Sequence, residues 1–197
     1  MSGYKPIGTE VLYSYASPAT ISVVSASAVT ITAGWPAIRI PAGFFANTGD
    51  WSSALRWKMG GFVTTTATVP TFAWGLAVTV VATPPAFAAT PSLGVTAAVI
   101  PAATGVTGAS WFMDVDITLK TLTGSNTSVL VTMGEVRMPG VTAAPFLGRT
   151  IPAAGAANTM STYDTSQMYF LWPYLTLGAA TAGNQVTAQY GKLYGEN

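Results

Sequence analysis

At 197 residues and 20.3 kDa the chain has room for one domain of sandwich or barrel size with a sizeable core. It contains no His and no Cys, which excludes imidazole-based triads, disulfides and thiolate metal sites. Half of its residues are hydrophobic, only 8% are charged, and the eight Lys and Arg are scattered, so a nucleic-acid partner, which needs clustered cations, is not expected.

In chain order, residues 1–9 read as an extended N-terminal arm holding Tyr4, Pro6 and Ile7 among polar residues. Such an arm can be ordered across a neighbouring subunit, which makes Tyr4 and Ile7 candidate contact residues. The start lacks the basic, apolar and small-residue order of a signal peptide, so Sec-type export is not expected. A single β-sandwich domain is expected over 10–197. Strands are expected at 10–15, 20–32, 37–40, 53–64 and 71–81, from β-branched and aromatic residues bounded by Gly, Pro, Asn and Ser. No charge occurs between Lys58 and Asp114, and the window 72–90 is long enough to span a bilayer. Its Pro84-Pro85 pair and the alternation of its first half favour a strand over a spanning helix, so no membrane partner is expected.

The clearest strand runs over 109–122. There Trp111, Met113, Val115, Ile117 and Leu119 alternate with Phe112, Asp114, Asp116, Thr118 and Lys120, so the first set belongs in a core and the second on an exposed face. A loop at 123–126 and a strand at 127–138 complete a hairpin. Further strands are expected at 167–177 and 185–193. Two Ala/Thr/Pro-rich stretches, 82–108 and 139–159, read as long loops suited to subunit contacts, and the fragments they share read as chance in a biased composition. Eight or more short strands and no helix give an all-β fold, a jelly-roll-like β-sandwich with long Ala/Thr/Pro-rich loops.

Candidate chemistry is sparse. Asp114 and Asp116 share one face about 7 Å apart, a spacing that suits an inverting carboxylate pair. Arg56 and Lys58, with the same spacing, offer cross-strand ion-pair partners instead, and the salt-bridged face is the favoured reading. Glu135 could join the two Asp on calcium, but no Asp-rich loop supports it. No catalytic, cofactor-binding or metal residue is assigned. Of the six Trp, five lie in or beside expected strands and belong to the core, whereas Trp51, in Asn47-Thr48-Gly49-Asp50-Trp51, is the candidate loop-borne contact.

The phrase Ile40-Pro41-Ala42-Gly43-Phe44-Phe45, then 55–61 with its Thr-rich turn, Phe72-Ala73-Trp74-Gly75-Leu76, the strand from Trp111 and the closing Gly183-Asn184-Gln185-Val186-Thr187 follow one another in an order that resembles jelly-roll structural proteins of tailed-bacteriophage virions. The resemblance spans roughly residues 40–192. It implies a non-enzymatic structural subunit on the virion, of the capsid decoration (cement or minor capsid) type. Such a subunit would be a homotrimer on the capsid exterior, with the major capsid protein as partner. A tail-tip or baseplate subunit that recognises host glycan is the alternative, and a carbohydrate-active enzyme on the same sandwich is a further rival that would place Asp114 or Asp116 in a cleft opposite Glu135.

Overall fold

A computed structural model describes residues 9–22, 28–45, 53–66, 71–87, 92–96, 105–121, 128–139, 146–153, 159–177 and 183–196. The described elements are all strands: β1 (Thr9–Tyr15), β2 (Ala19–Ser22), β3 (Val29–Thr30), β4 (Ile38–Ile40), β5 (Ala54–Thr64), β6 (Phe72–Thr79), β7 (Ser92–Val95), β8 (Ala109–Thr121), β9 (Ser128–Pro139), β10 (Phe146–Ile151), β11 (Thr159–Tyr163), β12 (Tyr169–Leu177) and β13 (Gln185–Glu196). They form two antiparallel sheets, a larger one in the order β1-β13-β5-β8-β9-β10 and a smaller one in the order β3-β12-β6-β7. β2 extends the β1 position along β13, β4 extends the β3 position along β12, and β11 continues β10 along β9.

The pairings nest. The first strand position (β1 with β2) pairs with the last (β13), the second (β3 with β4) with the next to last (β12), β5 with β8, and β6 with β7. Nested antiparallel pairs divided between two facing sheets are the jelly-roll topology. β9, β10 and β11 are an addition between β8 and β12 that widens the larger sheet beyond β8.

Period-two alternation accounts for the core. In β5 Leu55, Trp57, Met59 and Val63 point inward, in β8 Trp111, Met113, Val115 and Ile117, in β6 Phe72, Trp74, Leu76 and Val78, and in β12 Tyr169, Leu171 and Leu175. The sheets meet at Trp74 and Trp111, whose ring centroids lie 4.5 Å apart. Trp74 Nε1 donates to Met138 Sδ, and Trp111 Nε1 donates to the Phe62 and Thr187 carbonyls. A second aromatic stack of Phe45, Tyr163 and Tyr169 closes one end of the core.

Three expectations need correction. The 20–32 segment is not one strand: β2 ends at Ser22, β3 is two residues long, and a turn follows in which the Trp35 amide donates to the Thr32 carbonyl and Gly34 takes φ +79°. The two Ala/Thr/Pro stretches are not wholly loops, because β7 lies in the first, while β10 and the start of β11 lie in the second. At four to six residues these strands are too short to show a period, and their ladder partners β6 and β9 define them. Thr9, assigned to the arm, is the first residue of β1 and pairs with Glu196.

Candidate functional site

The outer face of the larger sheet carries Arg56, Lys58, Asp114, Asp116, Lys120, Glu135, Arg137, Lys192 and Glu196, more than half of the chain's eight basic and seven acidic residues. Register arranges them in rows across the strands. Lys192, Lys58, Asp114, Glu135 and Thr150 form one row, and Tyr194, Arg56, Asp116 and Met133 the next.

The expected ladder between β5 and β8 is present, with a diagonal bond as its strongest member. Arg56 donates from Nε and Nη2 to the two Asp114 oxygens, both at 2.8 Å, and its Nε stands 3.7 Å from Asp116. Lys58 Nζ is 3.6 Å from Asp114. The bidentate Arg56 fork holds the Asp114 carboxyl below the ordinary carboxylate value and raises Arg56 in turn. Asp114 is therefore an anion at neutral pH and cannot act as a general acid there.

Beside this ladder lies an open depression of about 340 Å³ lined by Lys58, Phe112, Met113, Asp114, Glu135, Arg137 and Tyr190. Its row is Tyr190, Gly60, Phe112, Arg137 and Gly148. Gly60 sets its shape: a Cβ there would stand 2.9 Å from Tyr190 Cε1 and 3.0 Å from the Tyr190 hydroxyl, so the absent side chain lets the tyrosine ring lie over the sheet. Burial, then the Asp114 charge, raises the Tyr190 phenol, which stays a neutral donor. On the far wall Arg137 donates to Glu135 Oε1, and this bond raises the guanidinium. Asp114 and Glu135 sit directly opposite across the β8–β9 ladder, with Cβ atoms roughly 4.5–5.5 Å apart. The carboxylates that the enzyme reading would oppose are thus brought together, each against a guanidinium. Among the described residues no cluster of three or more metal-ligating side chains forms.

The outer face of the smaller sheet has the opposite character. Phe170, Trp172 and Tyr174 project from β12 beside Ala77, and Ala28, Ala37 and Phe87 pack onto them. Phe87 stacks on Tyr174 with centroids 4.6 Å apart, and Gly75 leaves the space that the Tyr174 ring fills. Trp172 Nε1 donates to Thr79 Oγ1, which donates to the Val81 carbonyl, tying the segment after β6 to the sheet. Among the described residues Arg39 is the charged residue of this face, and Val80 and Val81 at its margin are each 52% exposed.

Tyr4, Ile7 and Trp51 lie outside the described residues. Trp57, Trp74, Trp111 and Trp172 are buried as expected, and Trp35 is partly buried with its Nε1 donating to the Ser17 carbonyl. Sequence reasoning reached Asp114, Glu135, Arg56 and Lys58 but missed Tyr190. From Val186 and Ala188, strict alternation places Tyr190 in the core. A β-bulge between Ala188 and Tyr190 turns it outward and Gly191 inward. The available signal was Phe112, an aromatic on the face that alternation assigns to Asp114, Asp116 and Lys120.

No family model, curated protein or solved structure matches the chain.

Proposed function

We propose that this chain is a non-enzymatic structural subunit of a virion, a capsid decoration protein of the cement or minor-capsid type. It would assemble as a homotrimer on the capsid exterior and bind between major capsid proteins. The observation that carries this reading is the division of the jelly roll into two unlike outer faces: one sheet holds most of the charge, and the other holds an aromatic cluster, exposed Val80 and Val81, and Arg39. A chain with 8% charged residues has little polar surface to spread over a monomer, and one sparsely charged face suits burial against like or unlike subunits. Closed symmetry would satisfy such a face without open-ended growth. Tyr4, Ile7 and Trp51 remain the proposed contact residues outside the described strands. A tail-tip or baseplate receptor-binding subunit is the second reading, favoured by the aromatic-walled depression on the charged face.

Light scattering of the purified chain, alone and mixed with capsid shells from its source, tests the proposal. A trimer that saturates a fixed set of shell sites is expected, with a contact burying more than about 1,000 Å². A monomer that ignores shells overturns it.

A further inference from the structure

We propose that the depression between Tyr190 and Phe112 is a binding site for a neutral saccharide, accepting a single sugar ring. The reading goes beyond a structural role and holds whether the subunit sits on a head or a tail.

Three features of the site select this class of ligand. The first is a platform. Because Gly60 has no side chain, the Tyr190 ring lies over the sheet, and Phe112, 44% exposed, stands on the other side of Gly60 in the same row. A sugar ring has an apolar C–H face that packs on such aromatic surface, while its hydroxyls point to the rim.

The second feature is the polar rim. Asp114 and Glu135 supply acceptors, and Lys58, Arg137 and the Tyr190 hydroxyl supply donors, all around one depression. Arg56 and Arg137 hold Asp114 and Glu135 Oε1 in place. A hydroxyl both donates and accepts, so a vicinal pair can bridge a carboxylate and the cation beside it. The ion pairs pre-orient both groups before a ligand arrives, which lowers the ordering cost of binding.

The third feature is charge balance. Lys58 and Arg137 offset Asp114 and Glu135 in the lining. An anion would meet two carboxylates and a cation would meet two bases, so neither is favoured over a neutral polyhydroxyl ligand. The volume, about 340 Å³, is at the small end of ligand sites and fits a ring rather than an extended polymer.

Saturation-transfer NMR on the intact chain tests this, with methyl β-D-glucopyranoside, methyl β-D-galactopyranoside, methyl α-D-mannopyranoside and N-acetylglucosamine as probes. At least one probe is expected to receive saturation. Its titrated affinity should fall roughly tenfold in Tyr190→Ala, the loss of one ring contact, and less in Tyr190→Phe, which keeps the platform and removes the hydroxyl. Arg39→Ala, on the other sheet, is expected to bind as wild type. If Tyr190→Ala does not fold, Phe112→Ser, whose side chain lies outside the core, carries the comparison. No transfer to any of the four probes overturns the proposal, as does binding that survives both Tyr190→Ala and Phe112→Ser. Displacement of the bound probe by inorganic phosphate would reassign the depression to anions and overturn it equally. Shell binding is read separately by mass, so its failure leaves this result standing.

Discussion

Thr132 is a buried residue of β9, opposite Ile117, whose hydroxyl faces the core and has no hydrogen-bond partner among the described residues. Replacing it with Val removes an unsatisfied polar atom at nearly constant shape, so Thr132→Val is expected to raise stability by about 1 kcal/mol, read as a higher urea midpoint at unchanged slope. Asp164 works in the other direction. Its carboxylate accepts from the Ser166 amide and hydroxyl and from Gln167 Nε2, closing the turn between β11 and β12, and the Ser166 bonds hold it below its ordinary value. Asp164→Ala is expected to lower the urea midpoint at unchanged slope. Asp114 and Asp164 both titrate lower folded than unfolded, so the folded state binds fewer protons in acid. Their contribution is complete above the ordinary carboxylate value near 3.8 and is lost as pH falls through the lowered folded values. Unfolding midpoints measured from pH 6 downward should hold to about pH 4 and then drop. The Arg56–Asp114 bond is more than a third exposed, and a double-mutant cycle should return less than about 1 kcal/mol of coupling.

At the scale of elements, the bulge in β13 governs the site. Gln189 is the extra residue: Ala188 pairs with Gly61 and Tyr190 with Gly60. Deleting Gln189 would remove the bulge and leave Tyr190 directly after Ala188, so that strict alternation keeps Tyr190, Lys192 and Tyr194 outward and Gly191, Leu193 and Gly195 inward. The deletion is expected to keep the strand circular-dichroism signal and protease resistance, whereas an Ala inserted between Tyr190 and Gly191 turns Gly191, Leu193 and Gly195 outward and is expected to abolish both. The β8–β9 hairpin was legible from its alternation, and the pairing of Arg56 and Lys58 with Asp114 and Asp116 followed from their matching spacing. β7, β10 and β11 were not legible, because segments of four to six residues in or beside Ala/Thr/Pro-rich stretches become strands only where a partner ladder supplies their hydrogen bonds.

Across the whole molecule, the two outer faces differ in what they can bind. Contacts through the sparsely charged face would rest on apolar burial and resist salt, unlike contacts through the opposite ladder. Replacing Val80 and Val81 with Lys is therefore expected to reduce the sedimentation mass of the proposed assembly without lowering monomer stability, since both side chains are about half exposed. An unchanged mass would place the self-contact elsewhere. From its residues alone this chain is all-β and lacks His–Cys chemistry, and its alternation marks Trp57, Trp74 and Trp111 as core. These follow from composition and the two-residue period, which are properties of the local chain. The nesting of strand pairs, the outward turn of Tyr190 and the meeting of Asp114 with Glu135 were decided by tertiary structure. The nesting and the turn of Tyr190 depend on the register of strands far apart in sequence, and the meeting of Asp114 with Glu135 on the register that the β8–β9 hairpin adopts; in β13 one unpaired residue reverses which face every later side chain joins.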